Sequence, residues 1–302
     1  MQRRVAILAT GGIAPSKLSK DPVMSHRTPS APSVDRSRSL FLVHGSAVAG
    51  KSWNALAAPL RDRVVVMTPD RLGQTPGERW PANRVTTFDA EAEHLAAALA
   101  AAPGPVHLFG HSYGGAVAMQ MALRWPKRVA RLTLYEPTRF ALLLRGGRAI
   151  GEAGREILAV GHGTHERAAA KQEAAAARVF VDYWSGAGTW AAMDAGRQER
   201  LAAQMPKVGA EFLAAFADPV PLDAWSTLEM PVLLLGGESS PAPVRAINAL
   251  LGSVLPRCAS VTLPGIGHMG PMTHADEVRE WLPEAAWADA PTPMPAPASA
   301  MA

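Results

Sequence analysis

Cys258 is the only cysteine in the chain, so no intrachain disulfide can form. Without a second thiol or a cluster of Cys and His, the sequence also offers no structural zinc site. A chain of this kind suits a reducing compartment, and a cytoplasmic location is expected. Basic stripes with interleaved aromatics are missing too. The net charge of +4 comes from 30 Lys and Arg scattered among 26 Asp and Glu, which speaks against a nucleic-acid partner. No apolar run approaches the roughly 20 residues that a membrane-spanning helix requires. Internal repeats are absent, and nothing in the composition calls for a metal or an organic cofactor. What remains is a hydrophobic fraction of 48% over 302 residues, enough for a sizeable core.

The two ends read differently from the middle. Gln2-Arg3-Arg4 followed by VAILATGGIA resembles a weak signal peptide, but Thr10, Gly11 and Gly12 interrupt its apolar run. Ser, Pro and Arg dominate residues 15–38, so residues 1–38 are expected to form a flexible leader, with Met24 as an alternative start. Residues 288–302 are rich in Pro and Ala and are expected to be a disordered tail.

Between these ends, short apolar runs alternate with helical patterns. SLFLVHG, RVVVMTPD, PVHLFG, VARLTLYEP, MPVLLLGG and SVTLPG are continuous apolar stretches closed by turn residues. Strands buried on both faces of a parallel sheet read this way. SWNALAAPL, TTFDAEAEHLAAALAAA and APVRAINALLGSV place apolar residues at helical spacing. The expected fold class is therefore α/β, an open and mostly parallel sheet flanked by helices. From residue 138 to 228 the rhythm breaks: several helical stretches follow one another with no strand between them. This block is expected to be a helical cap inserted into a core of residues 39–137 and 229–287. Ligands of open α/β sheets bind at the carboxyl ends of the strands, where the block begins and ends. Phe180, Tyr183, Trp184 and Trp190 either line an apolar pocket there or form the core of the cap.

Gly110-His111-Ser112-Tyr113-Gly114 lies where a strand gives way to a helix. A serine between glycines at such a junction sits exposed at the apex of a sharp turn, so Ser112 is the candidate nucleophile. A serine hydroxyl near neutral pH needs a base. His268, in the Gly-rich loop LPGIGHMGPMTH after the last strand, is the candidate; His274 falls at a helix start, and His111 suits packing beside the turn. His44-Gly45-Ser46 closes the first strand. A loop there can aim a backbone N–H at a developing oxyanion, with Ser46 the preferred donor, Ala47 next, and the N–H of Tyr113 as partner. His44 is expected to brace that loop.

These segments together resemble the α/β-hydrolase fold superfamily over about residues 39–287. GHSYGG resembles its nucleophile elbow, VHGSAVAGKSW its oxyanion loop and LPGIGHMGPMTH its histidine loop. TPDRLGQTPGE resembles the loop that follows the next strand, with the usual D-x-x-G-x-G-x-S reduced to Asp70, Gly73, Gln74 and Thr75. The resemblance implies a Ser-His-acid hydrolase without cofactor or metal, acting on a small molecule such as an apolar acyl ester. Serine at the elbow sets the chain apart from haloalkane dehalogenases and epoxide hydrolases, which use Asp. Alternatives are a cofactor-free perhydrolase, a carbon–carbon hydrolase, or a non-catalytic protein that holds a small ligand.

The family's usual Asp is missing. After MPVLLLGG, Ser240 stands where it is expected, with Glu238 two residues away. Some members carry the acid after the preceding strand, a place held here by Glu136 in LTLYEPTRF. Either glutamate preserves the order Ser, acid, His. Glu136 is preferred, because it closes the strand beside the nucleophile strand and Pro137 then turns the chain away.

Overall fold

The computed structural model describes residues 35–74, 79–81, 83–145 and 150–282. The expected tail (288–302) and the expected leader up to residue 34 lie outside them. Among the described residues six strands form one sheet: β1 (Asp35–Val43), β2 (Val64–Met67), β3 (Val106–His111), β4 (Val129–Tyr135), β5 (Val232–Gly237) and β6 (Cys258–Leu263). Their order is β2-β1-β3-β4-β5-β6. All five pairings are parallel.

β1 begins at Asp35, earlier than the leader boundary at residue 38 expected from composition. Backbone pairing explains the difference. Asp35 pairs with Val64 before an irregularity that ends at Ser39, and a ladder needs no apolar side chains.

Alternation along each strand divides the core between the two faces of the sheet. Phe41, Val43, Leu108, Leu132, Leu134 and Leu234 point to one face. Leu40, Leu42, Phe109, Tyr135, Leu233 and Leu235 point to the other. The second face is covered by α1 (Asn54–Ala57) and by Trp53, Val278 and Trp281. The first receives α2 (Phe88–Ala101) and α3 (Tyr113–Arg124). The N-terminus of α2 is capped by Thr87, whose hydroxyl accepts from the N–H of Ala90.

Between β4 and β5 the described residues form helices and no strand: α4 (Ala141–Leu144), α5 (Glu152–Ala169), α6 (Glu173–Ser185), α7 (Ala195–Ala202) and α8 (Met205–Ala217), then a 3-10 turn. Arg139 fastens this insertion to the sheet layer. Fully buried, it donates to Asp218 at 2.7 Å, to the carbonyl of Ala116 at 2.6 Å and to Gln120 at 2.9 Å. The remaining helices are α9 (Ala242–Gly252), α10 (Gly270–Thr273) and α11 (Ala275–Arg279). Among the described residues no helix is long and apolar enough to cross a membrane.

After β1 the chain turns to β2 on one side, and β3 returns to the other side of β1. That reversal opens a crevice at the carboxyl ends of β1 and β3, the place where open sheets bind ligands.

Candidate active site

Ser112 is the single residue between β3 and α3, with φ 56° and ψ −125°. Such a conformation costs a non-glycine residue roughly 1–3 kcal/mol and persists only where the surroundings enforce it. Here the backbone enforces it at both ends. The N–H of Ser112 donates to the carbonyl of Tyr135 at 2.9 Å, and its own carbonyl accepts from Gly115, Ala116 and Thr138 at 2.9, 3.2 and 3.3 Å. The flanking glycines are required by contact. A Cβ on Gly114 would lie 2.2 Å from the carbonyl oxygen of His44, and one on Gly110 would lie 2.6 Å from the Cα of Gly115.

His268 reaches Ser112 from the loop after β6. Its Nε2 is 3.0 Å from the Oγ of Ser112, and its Nδ1 is 2.6 Å from Oε2 of Glu136. A carboxylate only accepts, so Nδ1–H donates to Glu136 and Nε2 is left to accept from the serine hydroxyl. Glu136 is itself fixed: it has φ 49°, and its Oε1 accepts from the N–H of Gly237 at 2.6 Å. Glu238 is not brought to the imidazole. It is exposed, and its carboxylate accepts from the N–H of Gly265 at 2.9 Å. Ser240, at the position of the family's usual Asp, is buried.

The histidine loop is held by two donors from neighbouring strands. Tyr135 donates its hydroxyl to the carbonyl of Gly267 at 2.8 Å, and His111 Nε2 donates to the carbonyl of His268 at 2.9 Å. Burial, reinforced by the neighbouring His268 imidazole, pushes the pKa of His111 well below the ordinary value, so it stays neutral. Trp184 of α6 packs against the His268 imidazole, with ring centroids 4.1 Å apart.

Tyr113 is the first residue of α3, so its N–H has no intrahelical partner. Ser46 and Ala47 lie in the loop after β1, where Ala47 takes φ 58°. Arg71 clamps this loop from behind, donating Nε–H to the carbonyl of His44 at 2.8 Å and Nη2–H to that of Gly45 at 3.0 Å. Its backbone N–H donates to His44 Nε2 at 3.1 Å. Burial and the Arg71 charge lower the pKa of His44 to about 3, so it remains a neutral acceptor.

Arg71 belongs to a buried group of four charges. Glu211 of α8 lies 2.8 Å from it and Glu91 of α2 lies 3.3 Å from it. Lys207 of α8 bonds Glu91 and is 3.9 Å from Glu211. Burial alone lowers the pKa of Arg71, but the two carboxylates reverse this and hold it above its ordinary value. Two cations and two anions cancel, which is what makes such burial tolerable. Sequence reasoning missed this group. Its one local signal is Lys207 and Glu211 spaced four apart in an otherwise apolar helix.

A cavity of about 80 Å³ is lined by Ser112, His268, Ser46, Phe180 and Trp184, with Arg197 its only charged residue. Tyr183 lines a wider depression of about 830 Å³ that reaches His268 from outside. Trp190 packs against the core instead. A separate cavity of about 460 Å³, between residues 83–89 and α8, is lined by neither Ser112 nor His268.

A family model described as the alpha/beta hydrolase family matches residues 40–281, the sheet and its insertion together. The chain belongs to the alpha/beta hydrolase family. Its likeness to solved hydrolases extends over most of the fold. An esterase from Thermogutta terrifontis shares 25% identity at a TM-score of 0.63, covering 83% of this chain and 90% of that one. An alpha/beta hydrolase from Sphaerobacter thermophilus shares 22% identity at a TM-score of 0.62, over 84% of this chain and 94% of that one, a likeness of fold. In sequence, the lipase LipV of Mycobacterium tuberculosis is 39% identical over 110 residues, 36% of this chain and 40% of LipV. A 2-hydroxymuconate semialdehyde hydrolase of Pseudomonas is 34% identical over 99 residues, 32% of this chain and 35% of that protein. The chain thus matches well under half the length of LipV and of the semialdehyde hydrolase.

Proposed function

We propose that the protein is a serine hydrolase that cleaves a small carboxylic ester through an acyl-enzyme. The observation that carries this reading is the continuous hydrogen-bonded chain from Ser112 to His268 to Glu136. Ser112 attacks the carbonyl carbon while His268 takes its proton and later returns it to the leaving alcohol. Glu136 fixes the tautomer and stabilises the imidazolium. The N–H groups of Tyr113 and Ser46 hold the oxyanion. The helical block of residues 138–228 acts as a cap over the core of residues 39–137 and 229–287, and Phe180 and Trp184 supply the apolar lining that suits an acyl ester.

Ser240 in place of the usual Asp would suit a non-catalytic ligand-binding protein, but a carboxylate 2.6 Å from His268 supports catalysis over that role. Carbon–carbon hydrolysis is the second reading, favoured by the likeness to the semialdehyde hydrolase. The test combines fluorophosphonate labelling with a panel of short- to long-chain esters. Native protein should take the probe and turn over esters, and Ser112→Ala should do neither while keeping its fold. Labelling retained in the alanine variant would refute the mechanism, and carbon–carbon cleavage without ester turnover would favour the second reading.

A further inference from the structure

The N–H of Ser46 and the carbonyl of Gly45 belong to one planar trans peptide, so they point in opposite directions. Whatever fixes the carbonyl therefore aims the N–H. Two donors fix it. Arg71 Nη2–H reaches the Gly45 carbonyl at 3.0 Å and His44 Nδ1–H reaches it at 2.9 Å. The imidazole can serve only this way round, because its Nε2 already accepts from the Arg71 backbone N–H at 3.1 Å. Among the described residues the N–H of Ser46 itself donates to no acceptor. The loop passes directly beside the candidate nucleophile: a Cβ on Gly45 would lie 3.3 Å from the Cβ of Ser112.

Arg71 does more than brace one carbonyl. Its Nε–H donates to the carbonyl of His44 at 2.8 Å, and its guanidinium lies over the ring of Tyr113, 4.8 Å from the centroid. One buried side chain thus touches both segments whose N–H groups are assigned to the oxyanion. A charged donor on a peptide carbonyl also polarises that peptide, which makes its N–H a stronger donor in turn. The guanidinium is held in place by Glu211 of the helical insertion at 2.8 Å, with Glu91 of α2 at 3.3 Å. Lysine in this place would keep the charge. It has no planar fork to reach two carbonyls and a carboxylate together.

We infer that Arg71 is a positioning residue for the oxyanion, aiming and strengthening the Ser46 N–H through the Gly45 carbonyl, and that Glu211 of the insertion sets where Arg71 stands. This rests on the ester-hydrolase reading above. It makes the helical insertion a contributor to transition-state stabilisation through a residue that touches no substrate.

The test compares native protein with Arg71→Lys on ethyl butanoate and on its thionoester, O-ethyl thiobutanoate, and follows the rate of fluorophosphonate labelling. Sulfur accepts hydrogen bonds weakly, so a well-aimed oxyanion site favours the oxygen ester and a misaimed one discriminates less. In Arg71→Lys, kcat/KM on the oxygen ester should fall by about 10–100-fold, a part of the loss expected when an oxyanion donor is removed outright. The oxygen-to-sulfur ratio of kcat/KM should fall by about fivefold or more, and labelling should slow by about tenfold. Glu211→Asp keeps its charge but draws the carboxylate back by a methylene, and it should lower the ratio too. Should Arg71→Lys fail to fold, Arg71→Met combined with Glu211→Gln removes one charge of each sign and takes its place. A lower Tm with native ratio and labelling makes Arg71 merely structural and overturns the inference. A native ratio in Glu211→Asp overturns the part given to Glu211. Where native protein labels but turns over neither ester, the labelling rate decides, and an equal rate in the variant overturns the inference. Native protein that neither labels nor cleaves any ester refutes the hydrolase reading, and this assignment with it.

Discussion

Between the two glutamates, distance and burial separate roles that spacing alone left open. Glu136 lies 2.6 Å from His268 in a fully buried position, whereas Glu238 is exposed and 2.9 Å from a backbone N–H of the histidine loop. Glu136→Gln should therefore lower kcat by about 10³–10⁴-fold, the scale of loss seen when a triad carboxylate becomes an amide. Glu238→Gln should stay within about twofold, since its contact is at the surface. Steady-state kinetics on one ester, with circular dichroism as the check on folding, decides between them. Gly114→Ala should cost several kcal/mol or fail to fold, because its Cβ would lie 2.2 Å from a carbonyl oxygen. At this scale the sequence was informative where the constraint is local. Glycines around a serine, and a histidine in a Gly-rich loop, announce backbone geometry that few other residues tolerate. The bond from Arg71 to the Gly45 carbonyl left no such trace, since a contact between positions 26 residues apart can be recognised only once the fold is known.

The helical elements carry the charges that local pattern did not reveal. Arg71, Glu91, Lys207 and Glu211 come from a loop, α2 and α8, and neither partner of any cross-element pair lies within a helical turn of the other. Removing one charge leaves another buried and uncompensated, which costs about 3–5 kcal/mol. Glu91→Ala should lower the urea midpoint accordingly. Glu91→Ala combined with Lys207→Met, which removes one charge of each sign, should recover a large part of the loss. The helical insertion offers a second comparison. Shortening residues 179–190 should change KM and substrate preference, because Phe180 and Trp184 line the cavity. Insolubility with no change in preference would instead make these aromatics core. Trp184 belongs to the buried core and also packs against His268 and Tyr183, whereas Trp190 is only partly buried against that core, so one aromatic serves both purposes. The alternation of apolar runs and helical patterns made the sheet and the insertion legible. The start of β1 was not, because Asp35 pairs through its backbone from within a polar stretch.

For the molecule as a whole, three buried histidines make stability depend on acid. Burial, with nearby Arg71 for His44 and Arg131 for His107, lowers both to about 3, and His111 lies well below its ordinary value. Below about pH 6.5 the unfolded chain takes up protons that the folded chain refuses, so stability falls as pH falls. The loss runs at about 1.4 kcal/mol per pH unit for each group until its folded pKa is reached, and above pH 6.5 these groups contribute no slope. His107 bonds Thr133 at 2.8 Å, away from Ser112. His107→Gln should make the acid limb shallower by about 1.4 kcal/mol per pH unit between roughly pH 6 and 4, as read from urea titrations. An unchanged slope would mean that His107 is already protonated in the fold.

The placement of Glu136 has a consequence for modular redesign. In chain order it precedes the helical insertion, and Ser112 and Glu136 close the neighbouring strands β3 and β4. The proposed nucleophile and acid thus belong to one strand–helix–strand cassette that the insertion does not interrupt. A graft that replaces residues 138–228 with another protein's helices keeps that pair in register. It also deletes Lys207 and Glu211, and with them half of the charge balance behind the loop after β1. Such a chimera should still take a fluorophosphonate at Ser112 yet turn over slowly. Transplanting α8 with its two charged residues, while retaining Arg71 and Glu91, is then the smallest exchange that carries a foreign cap without loosening the loop.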